Sequence, residues 1–386
     1  MKKVAFFIDS LAGGGAERVM LNLANRYAVQ GYAVDIVLAQ RRGEYLNDVD
    51  ERIRLVDLQV KRFWQYFFPL IKYFRNEQPD VMLSATTILN LLAILTRKCA
   101  RVETRLVVSE HIDIASFAER GALQRPKMVK QLIRLLYPQA DQVVAVSQGA
   151  ANSLAAFAGL PVARIKPIYN GVIDKHKLDL AKEAIDHPWF NDVRQKGAPI
   201  VLGIGRLQDQ KNFAMLLRAF AKLRKKMPAK LIILGEGELR VSLQQLADSL
   251  MINEDVSLHG FAENPFKYLR NANVFALSSF YEGLPTVVIE ALACGCPVVS
   301  TDCPSGPSEI LEKGRYGALV SVDNDEEFAD ALFATLTQEQ DYPEVQKKHR
   351  KEIAEYANKF GVEQAFAAYS NVLRLNPVKD LNAGYK

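Results

Sequence analysis

The sequence predicts an α/β protein made of two Rossmann-like domains, each a doubly wound parallel sheet, facing each other across a cleft. Three observations carry that reading. Short apolar runs alternate with amphipathic helical segments, the mark of parallel strands with helices on both faces. The alternation stops near Asn170 and Gly171 and starts afresh near Ile200. The chain has 386 residues, too many for one ordinary core but suited to two domains of usual size.

In chain order, the first half offers the strand-like runs KVAFFIDS, YAVDIVLA, RIRLVDL, DVMLSAT, RLVVSEH, QVVAVS and IKPIY, separated mostly by amphipathic segments. A polar stretch with scattered helix formers follows, from Asn170 to Pro199. The second series is IVLGIGRL, KLIILGEG, VSLHGF, NVFALSS, CPVVSTD and GALVSV. The domain boundary is therefore placed at residues 170 and 171, and the final helical segment, GVEQAFAAYSNVL, belongs to the chain's end.

Composition narrows the function classes. Hydrophobic residues make up 49% and charged residues 24%, without low-complexity tracts or fixed-period repeats, as in soluble globular proteins. The opening MKKVAFFID has an apolar run that stops at Asp9, too short for a signal peptide but right for a first strand. No stretch approaches the roughly 20 apolar residues that span a bilayer. A cytoplasmic protein is expected, with Cys99, Cys294, Cys296 and Cys303 as reduced, mostly buried thiols. The net charge of +5 is uneven: residues 1–170 hold 23 Lys and Arg against 15 Asp and Glu, while the remainder holds 26 against 29. The first half, at +8, should meet something anionic.

Ligands of open α/β sheets bind beyond the carboxyl ends of the strands. Those ends here carry Gly13 to Gly15, His111, Ser147, Arg206, Gly235 to Gly237, Gly260 and Glu282. The LAGGGAERV run follows the first strand and opens a helix, so Gly14 and Gly15 offer backbone N–H groups to an anion or a sugar. It is not a dinucleotide fingerprint, because Arg18 stands at the third glycine position, where it would wedge helix from strand. Nor is it a Walker loop, since no G-K-[ST] follows. In GRLQDQKNF, Arg206 and Lys211 place two cations on one loop, suited to a diphosphate.

The stretch YEGLPTVVIEALACGCPVV raises a sharper question. Glu290 stands among Val287, Val288, Ile289, Ala291 and Leu292, none of which can donate to a carboxylate. A partner from outside the protein is the expectation. Pro285 would occupy the first turn of a helix, leaving the N–H groups of Gly283, Leu284, Thr286 and Val287 beside Glu282 and Glu290. Anions bind such N–H groups and diols bind carboxylates, so a nucleotide sugar would satisfy both.

With these residues in view, the sequence resembles the retaining glycosyltransferases of family 4, which have the two-domain GT-B fold. The resemblance runs nearly the whole chain, through NGV, GRLQDQKNF, LGEGELR, LHGF and YEGLPTVVIEALACGCPVVSTDCPSGPSEI. It implies an N-terminal acceptor-side domain over residues 1–170, a donor-binding domain over 171–364 and a last helix, about 365–386, returning to the first domain. It further implies that Arg206 and Lys211 bind the donor diphosphate, Glu290 the ribose hydroxyls and Glu282 the transferred sugar. Gly14 and Gly15 would close over the donor, Gly260 and the Gly283, Leu284, Pro285 and Thr286 run would line it, and His111 would lie by the sugar. Many members have His-Asp at that strand end. Here Glu110 precedes His111 and Asp113 comes two later, which leaves the partner of His111 open.

The implied reaction moves a sugar, with retention, from a nucleoside diphosphate sugar, expected to be a UDP-sugar, to a hydroxyl. No metal and no cofactor is expected, the cations standing in for a metal. Asp48-Val-Asp50 and Asp323-Asn-Asp325 mimic metal-binding D-x-D but read as solvated turns. Two basic segments could meet a lipid-linked or saccharide acceptor, or the anionic inner face of the cell membrane. In 60–75, Lys61, Arg62, Lys72 and Arg75 interleave with Trp64, Phe67, Phe68, Tyr73 and Phe74, a pattern that core packing explains at least as well. In 120–139, Arg120, Arg125, Lys127, Lys130 and Arg134 accompany Met128, Leu132, Leu135 and Leu136. Nucleic acid is disfavoured, as no RNP motif, helix-turn-helix or zinc-finger spacing occurs. A soluble transferase making a disaccharide or storage glycan, and a non-catalytic nucleotide-sugar sensor, share the donor motifs.

Overall fold

The computed structural model describes residues 2–12, 14–60, 63–185, 187–190 and 197–375. The chain divides into two compact units, one of residues 1–171 together with 362–386 and one of residues 172–361. Each contains one parallel sheet.

In the first unit the strands are β1 (Lys3–Ile8), β2 (Ala33–Leu38), β3 (Arg54–Asp57), β4 (Val81–Ala85), β5 (Arg105–Glu110), β6 (Gln142–Ala145) and β7 (Ile165–Pro167). They lie in the order β3-β2-β1-β4-β5-β6-β7. The order reverses direction between β1 and β4, the switch point where doubly wound sheets bind ligands. Phe6, Ile8, Val34, Ile36, Leu83 and Val107 are buried, as expected for strands covered on both faces. Helix Val362–Leu373 packs into this same core through Phe366, Tyr369 and Val372. Burying Phe366 stabilises the join by about 2 kcal/mol. Polar contacts fix it too: Tyr27 and Ser370 share a buried hydroxyl contact at 2.9 Å, and Arg105 Nε donates to the Val372 carbonyl at 2.9 Å.

The second unit has β8 (Ile200–Ile204), β9 (Lys230–Leu234), β10 (Val256–Gly260), β11 (Val274–Leu277), β12 (Val298–Thr301) and β13 (Ala318–Val320). Their order is β10-β9-β8-β11-β12-β13, with the reversal between β8 and β11. Glycines let the loops at these strand ends touch. Gly235 has φ +141, and a Cβ there would lie 1.9 Å from the Gly205 carbonyl oxygen, a position only glycine can hold. Leu207 N–H donates to the Glu236 carbonyl at 2.9 Å and Leu239 N–H to the Leu207 carbonyl at 3.0 Å, so the loops after β8 and β9 are laced together.

The aromatic segment before β4 is largely core. In helix Phe67–Glu77, Leu70, Tyr73 and Phe74 are buried, and the Tyr73 hydroxyl donates to Asp35 at 2.7 Å. Arg54 clasps the same buried carboxylate with bonds of 2.9 and 2.7 Å. Phe68 is the exception at 77% exposure. Lys61, Arg62 and the side chain of Trp64 lie outside the described residues. The thiols are all free; Cys296 and Cys303 are buried and Cys294 half-buried, while Cys99, on helix Thr87–Ala100, is exposed.

Candidate active site

In the second unit the switch point gathers the loop after β8 and the loop after β11. Lys211, on a 3-10 turn over Asp209–Lys211, donates from Nζ to Glu282 Oε1 at 2.7 Å. Ser279 Oγ donates to the same carboxylate oxygen at 2.6 Å. The Lys211 carbonyl accepts from Ser278 Oγ at 2.7 Å, Gln210 Nε2 donates to the Tyr281 carbonyl at 2.9 Å, and Phe280 N–H donates to the Gln210 carbonyl at 2.9 Å. Two residues of one loop, Gln210 and Lys211, and five of the other, Ser278 to Glu282, thus form a single patch. The lysine stem lies against Gly205, where a Cβ would come within 3.0 Å of it.

Glu282 is buried, at 7% exposure, so its ionised form depends on these donors. Ser279 stands three residues before it, but Lys211 comes from 71 positions away, which local reading could not see. Arg206 is exposed and forms no ion pair among the described residues. Gly283, Leu284 and Pro285 are buried, and helix Thr286–Ala293 begins beyond Pro285. Pro285 is therefore the residue that caps the helix, not one of its first turn. The N–H groups of Thr286 and Val287, in that first turn, have no acceptor within the helix. Gly260 ends β10 with φ +96, beside the Glu236 carboxylate.

One expectation about the carboxylates needs correction. Glu290 is half-buried, its apolar neighbours Val288, Ile289, Ala291 and Leu292 turning inward, and it interacts with a group inside the chain. The D-x-D pairs, read as solvated turns, are held by cations: Asp48 by Arg18 at 2.6 Å, Asp50 by Arg52 at 2.6 Å, Asp323 by Arg218 at 3.4 Å and Asp325 by Lys222 at 3.1 Å. Among the described residues no three His, Cys, Asp or Glu side chains are gathered as a metal site.

In the first unit, Gly14 caps and Gly15 opens helix Gly15–Val29; Gly13 lies outside the described residues. Arg18 does not wedge helix from strand. Its guanidinium reaches sideways to Asp48 and lies 3.5 Å over the Tyr45 ring. Ser147, at the end of β6, caps helix Gln148–Ala158 by accepting from Ala150 N–H at 3.0 Å.

His111 follows β5 and is half-buried. Alternation along the strand sends Glu110 to the opposite face from Ser109 and His111. There the Glu110 carboxyl takes bonds from Thr87 Oγ1 at 2.8 Å, Asn90 Nδ2 at 3.1 Å and the Tyr137 hydroxyl. Burial nevertheless raises its pKa. Asp113 caps helix Ile114–Glu119 by accepting from Ser116 N–H at 3.0 Å, and also accepts from Ser153 Oγ at 2.8 Å. Neither acid is the partner of His111. Ser109 is: its Oγ lies 3.1 Å from His111 Nε2. Burial pushes the imidazole down to about 4, so it is neutral at physiological pH.

Comparison with known proteins agrees over both units. Residues 13–175 match Glycosyltransferase Family 4 and residues 189–360 match Glycosyl transferases group 1. The N-acetylgalactosamine-N,N'-diacetylbacillosaminyl-diphospho-undecaprenol 4-alpha-N-acetylgalactosaminyltransferase of Campylobacter jejuni is 33% identical, over 87% of this chain and 90% of its own. The amylovoran biosynthesis glycosyltransferase AmsD of Erwinia amylovora is 30% identical, over 88% and 92%. Among solved structures, Anabaena HepE in complex with UDP-glucose superposes with a TM-score of 0.80 at 20% identity, covering 97% of this chain and 100% of that one. Sucrose-phosphate synthase from Thermosynechococcus elongatus reaches 0.81 at 17% identity, covering 97% and 98%. Two parallel-sheet domains with these likenesses define the GT-B class of sugar-transferring enzymes. Within that class the chain belongs to glycosyltransferase family 4.

Proposed function

We propose that the protein is a retaining, metal-independent glycosyltransferase moving a sugar from a UDP-sugar to a hydroxyl of a lipid-linked or polysaccharide acceptor. The observation that carries this reading is the patch joining Lys211, Glu282 and the start of helix Thr286–Ala293. The second unit is read as the donor side and the first as the acceptor side. Lys211 has three N–H donors, so it can keep Glu282 and still meet a phosphate oxygen. Together with Arg206 and the first-turn amides it stabilises the negative charge that builds on the departing diphosphate, without needing a metal. Glu282, oriented by Lys211 and Ser279, receives sugar hydroxyls, while Glu290, one helix face further on, receives the ribose. Gly260, Gly283, Leu284 and Pro285 shape the donor pocket, Gly14 and Gly15 offer amides to the donor, and His111 meets the sugar. The HepE complex holds UDP-glucose, which supports the choice of base.

Thermal shift with nucleoside diphosphates tests the donor reading. At a ligand concentration a hundred times Kd, binding adds about 2.7 kcal/mol of stability. The largest shift is expected for UDP and should be the same with or without Mg²⁺; a shift that requires Mg²⁺ overturns the metal-independent site. Glu290→Ala should weaken UDP binding, and unchanged affinity would remove its ribose role.

A second surface supports a lipid-linked acceptor met at the inner face of the membrane. Helix Pro126–Leu136 buries Val129, Ile133 and Leu136, yet leaves Met128 at 48% and Leu135 at 65% exposure. Lys127, Lys130 and Arg134 are exposed around them. Leu136 therefore leaves the stripe expected from sequence, and the helix has an apolar edge on each side. Among the described residues no helix is long and apolar enough to cross a membrane. Each basic group near an anionic surface contributes about 1 kcal/mol. The Campylobacter and Erwinia relatives are named for a diphospho-undecaprenol and for amylovoran biosynthesis, respectively. Co-sedimentation with phosphatidylglycerol vesicles is expected, but not with phosphatidylcholine. Met128→Ser with Leu135→Ser should abolish it at unchanged stability, and retained binding would refute this surface.

A further inference from the structure

Beyond the residues given donor roles, the strand end at His111 holds a hydroxyl chain that reaches into the returning C-terminal helix. His111 Nε2 lies 3.1 Å from Ser109 Oγ, and Ser109 Oγ lies 3.3 Å from the hydroxyl of Tyr369 on helix Val362–Leu373. Ser109 and Tyr369 are fully buried, with no exposed surface. His111 Nδ1 is shielded from solvent and has no hydrogen-bond partner among the described residues.

Counting protons gives the chain a direction. If Tyr369 donates to Ser109 and Ser109 donates to Nε2, the one donor left over is the N–H at Nδ1. If instead Nε2–H donates to Ser109, either the tyrosine or the serine keeps an unused buried O–H, and the Nδ1 lone pair is unmet as well. The first arrangement leaves fewer orphans, and each buried orphan costs about 1–3 kcal/mol. Burial pushes the Tyr369 hydroxyl up to about 12, so it keeps the proton it must give.

We infer that Ser109 and Tyr369 are positioning residues that fix His111 as its Nδ1–H tautomer, leaving that N–H as the one donor the ring has unspent. The tautomer does not depend on the transferase reading; its effect on sugar transfer does. The last helix of the chain thereby takes part in setting the donor character of a residue in the β5 loop. Asp113 and Glu110 have no share in this, one spent on a helix cap and the other on Thr87, Asn90 and Tyr137.

Nitrogen NMR of the full chain with labelled histidine tests it without any sugar transfer, His111→Gln identifying the resonance. The wild type should show a protonated Nδ1 and an unprotonated Nε2 at pH 7. Ser109→Ala should release the ring to the other tautomer, Ser109→Thr should restore it, and Tyr369→Phe should give a mixture. In transfer assays with UDP-sugar, Ser109→Ala should lower kcat at least tenfold while the donor KM stays within twofold, again rescued by threonine. A wild-type ring protonated at Nε2, or Ser109→Ala with tautomer unchanged, overturns the inference. Should Ser109→Ala fail to fold, Tyr369→Phe alone decides it by the same spectrum. The expected tautomers without transfer of any UDP-sugar would instead count against the transferase reading.

Discussion

The strand ends of the two sheets solve the same problem differently. In the second unit, Lys211, Glu282 and Ser279 satisfy one another, and the charges cancel before any ligand arrives. In the first, at the end of β5, His111 is neutral, its hydrogen-bond contact among the described residues is a hydroxyl, and Nδ1 is left unmet there. On the proposed reading, a site for a charged diphosphate must hold its own cation in place, because an unpaired carboxylate or ammonium would be costly to bury, and a site for an uncharged sugar can leave a single weak donor open, at a cost of about 1–3 kcal/mol. Preorganisation by ion pair and preorganisation by tautomer thus sit on two sheets of the same type.

This contrast can be broken most forcefully at Lys211. Lys211→Ala strands a buried carboxylate and should lower unfolding free energy by about 3 kcal/mol, read from urea denaturation at pH 8. Replacing both partners, Lys211→Met with Glu282→Leu, should recover most of that loss while leaving UDP binding weak. If the double variant were no more stable than the single, the pair would not be the unit described. Next comes acid. His111 takes up a proton at about 4 when folded, against 6.5 ordinarily, so between those values the unfolded chain binds more protons. Its contribution is full above pH 6.5 and is lost as pH falls toward 4, amounting to about 1 kcal/mol at pH 5.5. The difference in stability between wild type and His111→Gln, followed over that range, isolates it from Glu110, whose raised pKa acts with the opposite sign. Asp113→Ala should cost about 1 kcal/mol through its helix cap, with the His111 tautomer unmoved. Smallest of all, His111→Gln at pH 8 should change stability by less than about 0.5 kcal/mol. A larger loss would show that the imidazole is a structural group.

Much of this was legible in the sequence because it is periodic or local. The thirteen strands among the described residues lie within the apolar runs, and most are legible because parallel strands buried on both faces are written as unbroken Val, Ile, Leu and Phe. Lys211 and Glu282 stood out because charged residues at strand ends of such sheets have few structural reasons to be there. Their pairing was not legible, being made across 71 positions between two loops, with the lysine stem lying against Gly205. Ser279 and Ser109 were missed for a different reason: small hydroxyls at the end of an apolar strand look like ordinary turn residues. A serine two positions before a strand-end histidine, on the same face, is a signal that could have found one of them. Glu290 misled because its sequence neighbours are apolar, while a helix lets one residue in that run face elsewhere.

The return of helix Val362–Leu373 to the first sheet carries a consequence for biosynthesis. The amino-terminal half leaves the ribosome lacking Phe366, Tyr369 and Val372, and must wait for the whole second unit to be translated before its interior can close. The second unit, continuous in sequence, can mature meanwhile. A nascent chain halted before Val362 would therefore carry a finished second lobe attached to an incomplete first one, and chaperones would meet the earlier-made lobe as the later to settle.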